Sequence, residues 1–188
     1  MSTITISVVI DVPLQHVWDE VADVAGHVHW MADAVAIRFT SARHHGVGTT
    51  FECDTRFGPF SLVDRMEITE WRPPSPPRRD RATMGVRHAG LVTGEGRFTL
   101  RPANGEDGED GEDGEDGEGG EDGEGGSRTL FTWTERLAFP WWMGGPVGGL
   151  AAKPLMRTVW RRNLGRLKGR VERAARMRPS QTGSAGSG

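Results

Sequence analysis

The chain has 188 residues, a formal net charge of -3, seven tryptophans, no tyrosine and a single cysteine, Cys53. This length suits one domain that buries its core without staples, and a lone cysteine excludes an internal disulfide. No run reaches the ~18 apolar residues of a spanning helix, because the stretch from Leu137 to Ala152 is short and broken by glycine, which excludes an integral membrane protein. Met1 leads straight into alternating Thr, Ile and Ser with no basic and apolar leader, so a cytoplasmic location is expected.

The net charge conceals two opposed blocks. Twelve acids and no cation fall between Glu106 and Glu124, and without them the remaining 14 acids face 23 cations, a formal +9. Lys153 to Arg178 alone holds ten cations against one acid, Glu172, so the basic excess lies in the C-terminal segment.

Taken in chain order, Thr3 to Val12 alternates with Ile4, Ile6, Val8, Ile10 and Val12 on one parity, which predicts a strand with one buried face. Asp11 and Pro13 predict a helix entry with proline in the first turn, and Val17, Trp18, Val21 and Val24 follow at helical spacing. Gly26 ends that helix, and a second short helical piece carries Trp30 and Met31. Short runs rich in Val, Ile, Phe and Thr then predict strands over 35–42, 48–57, 60–71, 81–90 and 92–101. Turns are expected at Gly46 and Gly48, at Gly58-Pro59 and at the proline-rich 73–77. Arg128 to Phe139 alternates again, placing Phe131, Trp133, Glu135 and Leu137 on one face.

Between the last two strands, the Gly-Glu-Asp tract cannot bury apolar surface and repels itself, which predicts a disordered insert at 103–127 in an expanded hairpin loop. It either screens the basic C-terminal segment or is a tolerated expansion that aids solubility. Met156, Val159, Trp160, Leu164, Leu167, Val171 and Ala174 trace the stripe of a long amphipathic helix, with Pro154 in its first turn or, if the helix starts near Gly148, inside it. The Ser/Gly tail 179–188 is expected to be disordered, leaving one domain over 1–178.

Strand, two short helices, a run of antiparallel strands and one long C-terminal helix is the order of an α+β helix-grip (START/Bet v 1-like) fold, a curved sheet around a helix. The ordered set Val12-Pro13 with Val17-Trp18, His29-Trp30-Met31, Gly46-Val47-Gly48-Thr49, Asp64-Arg65-Met66-Glu67, Glu70 before Pro73-Pro74, and Thr132-Trp133-Thr134-Glu135 through Trp141-Trp142 resembles the SRPBCC (START-like) superfamily, in particular its bacterial polyketide cyclase/dehydrase-like branch. That resemblance implies a pocket for a small hydrophobic, lipid- or polyketide-like molecule in the middle of the domain. It implies no single reaction, since one fold hosts carriers, receptors and enzymes.

An apolar pocket with a few convergent polar groups is the usual small-molecule site. Strand parity puts Glu135 with Phe131 and Trp133, and His88 with Met84 and Val86, making Glu135 and His88 the acid/base candidates. Burial raises a carboxylate's pKa toward neutrality, where histidine titrates already. The alternative is structural, with Glu135 paired to an arginine and His88 bonded to a neighbouring strand. Phe98, Phe131, Trp133 and Met84 are candidate ligand contacts, and Arg65 and Arg97, with Arg56, could polarise a ligand carbonyl or else face water. Trp141 and Trp142, beside Gly144 and Gly145, read either as an apolar gate or as packing of the helix end.

No cofactor is expected. His27 and His29, or His44 and His45, lack metal-ligand spacing, and Gly144-Gly145-Pro146 is no phosphate loop. A second functional reading is a polyketide aromatase/cyclase or dehydrase. A third is peripheral contact of anionic lipid or nucleic acid with the basic face Lys153, Arg157, Arg161, Arg162, Lys168, Arg170 and Arg173, for which a solvated face is the plainer explanation. Stable membrane insertion and a nucleic-acid partner are not expected, and the sequence leaves the oligomeric state open.

Overall fold

The computed structural model describes residues 2–57, 60–76, 80–104, 128–138, 141 and 145–177. Its elements are β1 (Ser2–Ile10), α1 (Leu14–Ala22), a short 3-10 helix (Val24–His29), β2 (Ala34–Phe39), β3 (Thr50–Phe57), β4 (Phe60–Arg72), β5 (Ala82–Ala89), β6 (Thr93–Pro102), β7 (Thr129–Ala138) and α2 (Gly145–Met177). The seven strands form one antiparallel sheet in the order β1-β7-β6-β5-β4-β3-β2, so the first strand returns to lie beside the last. Register shifts between Ala34 and Ala36 and between Ile68 and Glu70 add local twist, as bulges do, and the sheet curves.

β1 stops at Ile10 rather than Val12, because the chain turns at Asp11. The Asp11 backbone N–H donates to Glu172 Oε1 at 3.0 Å, and the Thr129 hydroxyl donates to the Val12 carbonyl at 2.8 Å. Pro13 stands just before α1 rather than in its first turn, with its carbonyl accepting from His16 N–H at 3.0 Å. Gly46 and Gly48, at φ of 83° each, supply the turn read from the sequence before β3, a conformation glycine adopts without a Cβ clash. Residues 58 and 59 lie outside the described set, as do 105–127 and 178–188, and with them the expected tail and all of the expected insert except 103 and 104.

Leu14, Val17, Trp18 and Val21 bury one side of α1. Trp160, Leu164, Leu167 and Val171 do the same for α2 against the concave face of the sheet, and Trp160 stacks on Trp133 with ring centroids 5.1 Å apart. Buried Asn163 pins α2 to the turn before β2, accepting from Ala32 N–H at 2.8 Å and donating to Asp33 Oδ1 at 2.7 Å. Pro154 falls inside α2, which begins at Gly145. Its first turns hold Gly145, Gly148 and Gly149, so the start of the helix is less marked in the sequence than the stretch from Met156 onward.

The interior between sheet and helix is filled where the described residues meet. Phe98 lies 5.2 Å from Trp133 and 5.3 Å from Phe131, and Trp30 lies 6.3 Å from Trp133, all between ring centroids. Phe98, Phe131, Trp133 and Met84, expected to line a pocket in the middle of the domain, are here packed core residues.

β6 and β7 pair in continuous register from Thr93↔Ala138 to Pro102↔Thr129, and Ala103 N–H donates to Arg128 O at 3.1 Å, so the long connection is anchored at its base. Closing a long loop carries only a logarithmic entropy cost. Deleting Gly105–Gly126 should therefore leave the register intact and raise the unfolding free energy by about 1–2 kcal/mol in urea denaturation. A loss of stability would mean that the deleted segment makes stabilising contacts of its own.

Candidate functional site

Three ionisable side chains meet on the concave face. Pairing places Met66 opposite His88, His88 opposite Gly94, and Gly96 opposite Glu135, so β4, β5, β6 and β7 present Asp64, His88, two glycines and Glu135 side by side. His88 reaches across β6 because Gly94 and Gly96 carry no side chains there. A Cβ on Gly96 would overlap the Glu135 carboxylate. One on Gly90 would stand 3.0 Å from Asp64 Oδ1, and Gly94, at φ 147°, passes close against the Arg136 carbonyl. The glycines of the segment Gly90 to Gly96 make the room that the three polar groups occupy.

His88 Nδ1–H donates to Asp64 Oδ2 at 2.6 Å, and on the other side of the ring Nε2 lies 3.3 Å from Glu135 Oε2. The second contact has ion-pair distance without hydrogen-bond alignment, so His88 Nε2 and Glu135 Oε2 both lack a hydrogen-bond partner, as does Asp64 Oδ1. Glu135 Oε1 accepts from Trp133 Nε1–H at 2.8 Å, which ties the carboxylate to the aromatic core. Glu135 is thus partnered by histidine and tryptophan, and not by an arginine.

Burial by itself would lower the His88 pKa, but the hydrogen bond to Asp64 and the adjacent Glu135 carboxylate outweigh it and raise the value to about 10. At neutral pH the group is therefore an imidazolium between two acids, rather than a histidine titrating near neutrality. Its side chain is 11% exposed, and Met66 and Val86 on the same face are only partly buried, so the charged group has apolar neighbours and lies close to solvent. Among the described residues no cluster is arranged to hold a metal ion; both His88 nitrogens face carboxylates on opposite sides of the ring, so the three groups do not converge on one point.

The structure places the remaining candidates elsewhere. Arg65 and Arg97 lie on the opposite, solvent-facing side of the sheet, where Arg65 Nε meets Glu52 Oε1 at 3.2 Å and Arg97 Nη2 meets Glu70 Oε2 at 3.0 Å. Their strand parity is opposite to that of Asp64 and Phe98, so they correct the expectation of carbonyl-polarising arginines, and Arg56 is likewise exposed. Trp141 is 86% exposed and does not pack the helix end onto the sheet. Trp142 lies outside the described residues. Asp64 is absent from the candidates read from sequence, although it shares a parity with Met66 and Ile68, and an acid in an otherwise apolar row is the signal that points to it.

Two histidines give stability opposite pH dependences. His88, raised to about 10 from 6.5, contributes stability that is complete below pH 6.5 and lost as pH rises through 10. His27, wholly buried and donating Nε2–H to Val21 O at 2.7 Å, is lowered to about 4 by desolvation, and its contribution is lost as pH falls from 6.5 through 4. Thermal denaturation should show these two limbs, with His88→Gln flattening the alkaline one and His27→Gln the acid one. An unchanged alkaline limb in His88→Gln would contradict the charged assignment.

No protein-family model and no curated protein sequence matches the chain. Solved structures do. A START superfamily protein from Mycobacterium smegmatis superposes with a TM-score of 0.64 at 14% identity, over 92% of this chain and 98% of that one. A protein from Thermus thermophilus gives 0.62 at 14% identity over 93% and 99%, and the Zhui aromatase/cyclase from a Streptomyces species gives 0.59 at 17% identity over 94% and 96%. A seven-stranded antiparallel sheet gripping one long C-terminal helix, superposed over nearly the full length of these proteins, gives this chain the START-like (SRPBCC) helix-grip fold.

Proposed function

We propose that the protein binds a small hydrophobic molecule of lipid- or polyketide-like type at the end of the interior bounded by Asp64, His88 and Glu135. The observation that carries this reading is a buried site with incomplete hydrogen bonding: Asp64 Oδ1 has no hydrogen-bond partner, and His88 Nε2 and Glu135 Oε2 meet only as an ion pair at 3.3 Å. Buried polar groups left without hydrogen bonds are costly, and a ligand hydroxyl that accepted from His88 Nε2–H and donated to Glu135 Oε2, or a ligand carbonyl that accepted from His88 Nε2–H, would relieve that cost. Met66 and Val86, half-buried on the same face, supply apolar contact for the rest of the molecule. This puts the ligand beside the aromatic core rather than inside it. The buried free thiol of Cys53 suits a reducing compartment, and we place the protein in the cytoplasm.

The same geometry supports a second reading, an aromatase/cyclase or dehydrase, and the superposition on a protein bearing the first of those names adds to it. An imidazolium beside a carboxylate is an acid beside a base. Glu135 would take the proton from the carbon next to a ligand carbonyl while His88 hydrogen-bonds the carbonyl oxygen, and His88 would then deliver its proton to a departing hydroxyl. Asp64 would position the ring and stabilise its charge.

Native mass spectrometry of the mildly purified chain tests binding. A stoichiometric apolar ligand is expected, and its release should follow Met66→Asp; recovery of the same ligand in undiminished amount from that variant would place it elsewhere. With the ligand identified, Glu135→Gln separates the two readings, because removing the base should cut turnover by about 10²–10⁴-fold with binding retained, whereas a carrier has no turnover to lose.

A further inference from the structure

The outward side of α2 presents a surface separate from the Asp64, His88 and Glu135 group on the concave face of the sheet. Trp160, Leu164, Leu167 and Val171 hold the inward side in the core, which fixes the rotation of the helix and determines what it presents outward. That outward stripe contains Arg162, Arg166 and Arg173, all exposed, with no carboxylate partner among the described residues. Arg170, by contrast, is tied to Glu20 at 2.5 Å. Gly165 and Gly169 floor a groove of about 570 Å³ between these arginines, with His29 on its edge, and a Cβ on Gly165 would meet only open space. Arg166 is absent from the basic-face residues read from the sequence; its place in the row comes from the helix phase.

The ends of the row are apolar. Leu155, seven residues before Arg162, is 61% exposed, and Met177, four after Arg173, is 77% exposed. These spacings return to the same side of a helix, so one straight face runs Leu, Arg, Arg, Arg, Met over roughly 33 Å at 1.5 Å per residue. Isolated exposed apolar residues are ordinary, but a pair bracketing a row of unpaired arginines has a chemistry of its own. Guanidinium groups engage phosphate oxygens with paired N–H donors, and apolar side chains at the rim gain from leaving water.

We propose that this face of α2 docks on an anionic phospholipid bilayer. A bilayer surface offers phosphate and carboxylate headgroups in a plane, which a straight helical face meets along its whole length, and an apolar layer just beneath for Leu155 and Met177. Nucleic acid would satisfy the arginines but offer those two side chains nothing, and the stripe carries no aromatic residue on which a base could stack.

Co-sedimentation of the full chain with phosphatidylserine/phosphatidylcholine vesicles, against pure phosphatidylcholine, tests this. Binding is expected only to the anionic vesicles, and it should weaken as salt rises. The triple change Arg162→Gln, Arg166→Gln, Arg173→Gln should weaken it by about 100-fold, while the charge-matched triple on the outer sheet face, Arg56→Gln, Arg65→Gln, Arg97→Gln, should leave it near the wild-type value. Leu155→Ser with Met177→Ser should reduce vesicle binding further than it reduces binding to duplex DNA. Absence of binding to anionic vesicles, equal loss in both arginine triples, or tighter binding to DNA than to vesicles at equal phosphate concentration would each overturn the proposal.

Discussion

A one-layer curved sheet exposes an apolar face that something must cover, and here the cover is seated by the stack of Trp160 on Trp133. Two indoles in contact bury a large area at one point, and Asn163, one turn along the same helix, adds directional bonds to the turn before β2. Together they fix where α2 lies and how it is rotated. From that follow the packed aromatic centre of the interior, the basic face turned outward, and the partly buried end at Met66, Val86 and His88.

The Asp64–His88–Glu135 chain belongs to the same arrangement. Trp133, which receives α2, also donates its indole N–H to Glu135, so the residue that closes the core orients the acid at its edge. Buried ion pairs add little net stability, since desolvation offsets most of the attraction, and this one leaves Asp64 Oδ1 without a hydrogen bond and joins His88 Nε2 to Glu135 Oε2 by charge alone. Its maintenance by glycines at 90, 94 and 96, each admitting a carboxylate or a close backbone, sets it apart from a simple core contact. A group of this kind shapes a site more than it stabilises a fold.

The charge organisation divides along the same line. Ion pairs such as Arg38–Asp54 and Arg87–Glu67 occupy the solvent side of the sheet, where both partners are substantially exposed and salt screens them. The arginines at 162, 166 and 173 have no such partners among the described residues, and the fold turns them all one way. The proposed ligand site and the proposed bilayer contact rest on these two separate features, a charged edge to an apolar interior and a cationic outer helix face.

The sequence by itself determined the element order and the burial parity of most strands, because alternation at Ile4, Ile6, Phe131, Trp133 and Glu135 and the 3.6-residue recurrence from Met156 to Val171 are local consequences of burying one face. It singled out His88 and Glu135 for the same reason, as polar residues in apolar rows. What tertiary structure decided is which rows become neighbours. The contact of His88 with Glu135 across β6 depends on the register of three strands. The role of Asp64 depends on a fourth, and the fate of Phe98, Phe131 and Trp133 as packing rather than lining depends on their ring contacts with one another and on the stack of Trp160 on Trp133. Local periodicity reports that a side chain is buried; only the assembled sheet and helix set what it is buried against.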